Sequence, residues 1–294
     1  MTSRVQFPSQ SASTQHQPAS VKKGQWVKPA LIGTVLVYLS LILFVPTVSI
    51  FMTAFGDGIG PFLNNLREPQ FVHAAVLTVL AALIAVPLNL VFGLCAAWAI
   101  ARKKFLGRTL LLSILDLPFS ISPVVAGLMI VLLYGRNGWF GSILQAMNFK
   151  VVFAFPGIAL ATIFITLPFV AREVIPALEE AGFDQEEAAK TLGASEWQTF
   201  WHVTLPTVRW SLLYGVILTN ARAMGEFGAV AVVSGNLTGQ TQTLALFVED
   251  AYKQYQTNAA FAAAVVLTFL AVITLVLKEI LERKTRIKDV ELET

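Results

Sequence analysis

Residues 184–206 read DQEEAAKTLGASEWQTFWHVTLP, the densest charged segment between two long apolar runs. Asp184 followed by Glu187 fits a capping box, in which each side chain satisfies an orphan backbone N–H at a helix start. Ser195 followed by Gln198 fits a second. Gly193 lies between them, where a left-handed residue ends a helix without a Cβ clash. Pro206 is expected to stop the second helix, since proline lacks the N–H and crowds the preceding turn. The stretch therefore predicts two short helices joined by a tight elbow.

The flanking runs belong to a membrane. The 294 residues are 55% hydrophobic and 13% charged, with mean hydropathy +0.67, far from a soluble domain. Six apolar stretches, about 30–55, 71–101, 109–134, 151–171, 207–234 and 259–280, each reach the roughly 20 residues a crossing helix needs. The first is too long for a signal-peptide core of about 7–15 residues and reads as a retained span. The fold class is all-α, a polytopic membrane protein with six transmembrane helices. Residues 1–25, rich in Ser and Gln, predict a disordered tail, 26–281 the transmembrane domain with a long loop at 172–206, and 282–294 a C-terminal tail.

Lys and Arg give the orientation. One side receives 16 of them, including Lys22, Lys23, Arg102, Lys103, Lys104, Arg108 and the C-terminal group. The other receives four, Arg67, Arg136, Lys150 and Lys253, and Arg222 stays inside a span. Both termini and the elbow are thereby expected in the cytoplasm. On the opposite side, Leu244, Phe247, Val248, Ala251, Tyr252 and Tyr255 recur at helical spacing and predict an amphipathic helix.

Several functions have no residues to support them. A net charge of +3 does not indicate nucleic acid. No Gly-Lys dipeptide occurs, so there is no P-loop for nucleotide phosphates. His16, His73 and His202 are scattered and Cys95 is alone, which offers no metal-ligand spacing. No nucleophile-elbow motif points to an enzyme, and no cofactor is expected.

Ionisable residues within spans mark functional hypotheses. Span five holds Asn220, Arg222 and Glu226, with Arg222 and Glu226 four apart on one helix face. They form either a structural ion pair or the lining of a polar pathway with Arg222 available to an anion. Gly225 and Gly228 suit a close helix–helix seam. Span three holds Asp116, Pro118, Ser120, Ser122 and Pro123. Two prolines five apart leave backbone groups unbonded, which either line a cavity as a broken helix or mark a packing kink.

The elbow also resembles the EAA motif of permease subunits in bacterial ABC importers: Glu-Ala-Ala, three residues, Gly, nine residues, a branched apolar residue, one residue, Leu-Pro. Glu187, Ala188, Ala189, Gly193, Val203, Leu205 and Pro206 fall on every position, with Val203 in place of the usual isoleucine. The runs NLVFGL, SPVVAGL, TIFITLPFVARE and LLYGVILTNARAMGEFGAVAVVSG, with the six-span layout, are similar to the CysW-type permeases of sulfate/thiosulfate importers. The likeness covers most of the chain after about residue 25.

The resemblance implies a non-catalytic permease of the bacterial inner membrane with several partners. These are two copies of an ABC ATPase, a second homologous permease forming a heterodimer, and a periplasmic sulfate- or thiosulfate-binding protein, all around a lipid bilayer. It makes the elbow the coupling helix in a groove of the ATPase, driven by ATP hydrolysis on that chain. Trp197, Phe200, Trp201 and Thr204 share a face that would anchor the elbow to its own bundle or to a partner. Seven acids between Glu173 and Glu196 against Arg172 and Lys190 imply a basic rim on the ATPase. Two alternatives stand beside sulfate import: the same role for another oxyanion such as molybdate, or an ion-gradient-driven secondary transporter.

Overall fold

The computed structural model describes residues 27–292, and all regular structure among them is helical. The tail expected over residues 1–25 lies outside them. Two units are distinguished, one ending at Ser49 and the other beginning at Ile50. The first holds most of α1 (Val27–Phe55). Within it the hydroxyl of Thr34 donates to Ala30 O and that of Thr47 to Leu43 O, so an otherwise apolar helix leaves no unsatisfied donor at either threonine.

The second unit contains α2 (Ile59–Arg67), α3 (Pro69–Arg102), α4 (Arg108–Ser120), α5 (Pro123–Tyr134), α6 (Gly141–Ala146), α7 (Phe155–Ala181) and α8 (Asp184–Thr191). After these come α9 (Glu196–Thr199), α10 (Leu205–Met224), α11 (Gly228–Ser234), α12 (Leu244–Lys253) and α13 (Thr257–Leu292). Among the described residues, four helices are long and apolar enough to cross a membrane, and the count reaches six when each of two bent pairs is one span. The first pair is the broken helix that the prolines of span three left open, and the second is a bend not expected over 207–234. The α4–α5 pair bends by 112° and the helix over Glu196–Met224 meets α11 at 52°. The first break follows from Pro123, which drives Ser122 into an extended conformation (φ −58°, ψ 136°). Pro118, by contrast, sits inside α4 without ending it.

α7 also departs from expectation, ending at Ala181 rather than near residue 171, so the loop predicted from residue 172 is helical for its first turns. C-terminally, α13 carries its backbone helix to Leu292 through the predicted tail. The amphipathic helix is present as α12, with Leu244, Phe247 and Ala251 buried against Phe71, Ala74 and Ala260. Tyr252 and Tyr255 leave that face: both are exposed, and Tyr255 lies past the helix end at φ +60°.

Small residues set the packing distances. At Gly93 of α3 a Cβ would fall 2.7 Å from Val170 Cβ of α7, and at Gly215 of α10 it would fall 2.9 Å from Val170 Cα. Close backbone approach of this kind is how helices associate where burial from water supplies no drive. Asn89, fully buried, ties α3 to α7 through its amide nitrogen, which donates to Ile163 O (3.1 Å) and Thr166 Oγ1 (2.7 Å).

Candidate functional site

The elbow begins where α7 ends at Gly182 (φ +65°). Phe183 becomes the cap of α8 and its carbonyl accepts the Glu187 N–H at 2.9 Å. Asp184 is then already the first helical residue, and its expected capping box with Glu187 does not form. The reason is register: the connection after Gly182 is one residue shorter than that box requires. Asp184, Glu186 and Glu187 instead fill the first turn, where negative charge favours the helix dipole.

α8 ends as expected at Gly193 (φ +93°). Ala194 N–H donates to Ala189 O and Gly193 N–H to Lys190 O, both at 3.0 Å, the two bonds of a Schellman motif. Two residues later the second capping box is complete. Ser195 N–H donates to Gln198 Oε1 (2.9 Å) and Gln198 N–H to Ser195 Oγ (3.3 Å).

Pro206 does not stop the helix that follows. Residues Phe200–Thr204 form a π turn, in which Leu205 N–H reaches Phe200 O, and the helix continues as α10. The wider turn makes room for a ring that would otherwise press on the carbonyl four residues back. The elbow's second arm is thus the start of span five, continuous with it, rather than a separate short helix.

Glu186, which the motif does not include, fastens the elbow to the bundle. Its Oε1 accepts from Arg102 Nε (2.9 Å) and from the Thr204 hydroxyl (2.8 Å). Arg102 also donates to Leu178 O (2.7 Å), and its guanidinium lies 4.7 Å from the Phe183 ring centroid. Both charged side chains are buried, 5% and 11% exposed. This one ion pair therefore joins the end of α3, the end of α7, α8 and the π turn. No local signal announces it, because Arg102 and Glu186 are 84 positions apart.

The motif residues divide between roles. Ala188, Ala189, Val203 and Pro206 line an open groove of about 630 Å³ between α8 and the start of α10, together with Gln185, Leu192, His202, Thr207 and Arg209. Glu187 is exposed on α8, Gly193 makes the turn, and Leu205 is half-buried. The face predicted for Trp197, Phe200, Trp201 and Thr204 splits: Thr204 is buried, Phe200 half-buried, and both tryptophans are exposed. The acids are also less free than their number suggested. Glu179 pairs with Arg108 (2.9 Å), and Glu196 lies 3.6 Å from Lys103 and 3.9 Å from Lys190. Glu180, Asp184 and Glu187 stay exposed.

The candidate pathway residues lie around the two breaks. α5 and α11, the short second halves, pack closely: a Cβ on Gly127 would fall 2.7 Å from Ala229 O, and one on Gly228 would fall 2.8 Å from Pro123 Cβ. That contact brings Ser122 and Pro123, at the first break, beside the second. Gly225 has no such neighbour and serves the bend alone. Glu226 is buried there; its Oε1 accepts from Ala229 N–H (3.0 Å), capping α11. Its Oε2 lies 2.6 Å from Arg222 Nη1, but out of line for an N–H hydrogen bond. Arg222 is one-third exposed.

Ser120 donates back to Asp116 O (3.4 Å), and Asn220 is half-buried with its amide 4.0 Å from Met224 Sδ. Asp116 is held by Arg172, at 3.0 Å from Nε and 2.8 Å from Nη2.

Residues 89–287 match the family model described as binding-protein-dependent transport system inner membrane component. The chain is 65% identical over 259 residues to the sulfate transport system permease protein CysW of Synechocystis sp., covering 88% of this chain and 94% of that one. It is 52% identical over 257 residues to the protein of that name from Escherichia coli K12 (87% and 88% covered). With the sulfate transport system permease protein CysT of the same strain it shares 40% over 236 residues (80% and 85% covered). A crystal structure of a bacterial ABC transporter involved in the import of the acidic polysaccharide alginate superposes with a TM-score of 0.75 at 18% identity, covering 90% and 96%. That likeness concerns the fold. The capped elbow, the paired broken spans and these matches converge on one placement: the chain belongs to the family of binding-protein-dependent transport system inner membrane components.

Proposed function

We propose that this chain is a membrane-spanning permease subunit of an ABC importer that carries sulfate or thiosulfate into the cell. The observation that carries the reading is the full EAA motif folded as a capped elbow continuous with span five, in a chain 65% identical to a sulfate permease. The chain supplies no catalytic group, and energy comes from two copies of a separate ATPase. The elbow meets each closure of the ATPase and passes it on as movement of span five, because no loop intervenes between the two.

The partner set follows the same reading. One strain of Escherichia coli has both a CysW-named and a CysT-named sulfate permease, each similar to this chain, which favours two different permeases around one pathway. A periplasmic binding protein delivers the anion. The Lys/Arg asymmetry puts both termini and the elbow in the cytoplasm, in a bacterial inner membrane. Residues 1–25 and 282–294 are tails and 26–281 the permease domain.

Glu187, Ala188, Ala189, Gly193, Val203, Leu205 and Pro206 form the coupling element. With Glu179, Glu186 and Glu196 already paired within the chain, the basic rim expected on the ATPase faces Glu180, Asp184 and Glu187. Ser120, Ser122, Pro123, Asn220, Arg222 and Glu226 are assigned to the pathway, with the meeting of the two breaks at its centre and Arg222 as the cation that faces the anion. Labelled sulfate uptake, competed with thiosulfate, molybdate and phosphate in cells with and without the gene, tests the reading. Sulfate uptake should disappear with the gene. Loss of molybdate uptake with sulfate uptake intact would overturn the substrate.

A further inference from the structure

Beside the elbow stands an aromatic cluster outside the seven positions of the motif. Trp98, near the end of α3, meets Phe200 edge-on with centroids 6.4 Å apart. Phe200 stacks with Trp197 (6.1 Å), and Trp197 meets Trp201 at 5.5 Å. Trp197 and Trp201 are 69% and 47% exposed, in a segment outside the apolar stretch of span five. On α3, Val76, Leu80, Leu83, Val91 and Phe92 are exposed along the helix that carries Trp98. The cluster thus prolongs the exposed apolar surface of span two.

Charge follows the apolar surface. Lys103 Nζ lies 5.2 Å from the Trp98 ring centroid. Lys104 is exposed beside it, and the same short loop carries Phe105 and a fully exposed Leu106. Apolar rings with a polar N–H edge, flanked by lysines, suit the headgroup layer, where one end of a tryptophan is dry and the other wet. Lysines there are attracted to anionic lipid.

We propose that Trp197 and Trp201, with Trp98, Lys103 and Lys104, form a surface that seats the root of the elbow in the headgroup layer of the cytoplasmic leaflet and binds anionic phospholipid. The placement rests on the cytoplasmic orientation and coupling role proposed above. The elbow would then pivot against lipid on one side and the ATPase on the other.

The test places a nitroxide at Trp197→Cys, and separately at Trp201→Cys, in a Cys95→Ser chain assembled with a cysteine-free partner permease in phospholipid vesicles. Collision rates with oxygen and a water-soluble nickel chelate are read with and without the ATPase. Lipid seating gives oxygen rates above nickel rates in both states. Nickel rates above oxygen rates mean water and overturn the proposal, as does a fall in both rates when the ATPase binds, which would put the ATPase on this face. An ATPase that never binds defeats the coupling reading and leaves the lipid measurement standing. Independently, Lys104→Gln should lower selectivity for spin-labelled phosphatidylglycerol over phosphatidylcholine by about fivefold, and Lys103→Gln by less, because Glu196 already lies 3.6 Å from Lys103. Unchanged selectivity overturns the anionic part.

Discussion

At the elbow, most helix ends are finished by residues within five positions of themselves: Gly193 with the carbonyl of Lys190, Ala194 with that of Ala189, Ser195 with Gln198. At the seam between the broken spans the ends depend on distant neighbours. Ser122 caps α5 without a side-chain hydrogen bond, and the break is held because Gly228 and Gly127 admit backbone from the other broken span. The elbow's turns are closed by hydrogen bonds among its own residues. The seam is a fit between two helices and exists only while they stay together. A transporter needs both kinds of structure, one to carry a displacement and one to be displaced.

That contrast breaks most readily where the elbow ceases to be local. Arg102→Ala leaves the Glu186 carboxylate buried with only Thr204, and losing one partner of a buried pair costs about 3–5 kcal/mol. Thermal unfolding in detergent should show the loss, and Glu186→Gln combined with it should recover part. Additive losses in that cycle would mean the two charges do not act as a pair. Next comes the seam. Gly127→Val sets a side chain against Ala229 O and should cost about 1–3 kcal/mol and abolish uptake, whereas Gly225→Ala, whose Cβ would lie 3.8 Å from Ala221 O, should change uptake little. Equal damage at both glycines would remove the close approach as the cause.

The smaller effects belong to the elbow's own ends. A Cβ added at Gly193 would meet nothing within 4 Å, so only the positive φ of this residue matters. Gly193→Val should cost about 1–2 kcal/mol and lower ATPase copurification, and Gly193→Asn should retain most of it. If asparagine is as damaging as valine, the position contacts a partner directly. Ser195→Ala removes one cap bond and should lower stability by about 1 kcal/mol in the same unfolding assay, with uptake largely preserved.

Legibility in the sequence follows the same division. The Gly193 turn and the Ser195 box are readable because each is complete within a few residues. The Asp184 box misleads because Gly182 and Phe183, not Asp184, decide where α8 begins. Pro206 misleads for a subtler reason: proline ends an α-helix, but the π turn before it removes the conflict, and that turn is tied to Glu186 through Thr204. The apolar stretch at 109–134 has the right length for a span, and its prolines signal a break. Only the structure tells Pro118, which the helix absorbs, from Pro123, at which it bends. Arg102 with Glu186 and Asp116 with Arg172 join residues 84 and 56 positions apart, and nothing near either residue names the other.

The π turn gives the interval between Gly193 and Pro206 a meaning beyond length. Each residue of an α-helix advances the chain by about 100° around its axis, so one added residue shifts the phase of everything beyond it unless a bulge absorbs it. Rewinding Phe200–Thr204 as regular α-helix, with no residue removed, would rotate span five by about that angle relative to the elbow. Arg222 would then face a different neighbour while the elbow's own surface stayed intact. The motif's spacing therefore acts as an angular setting, aligning what the elbow grips outside the bilayer with what the span presents inside it.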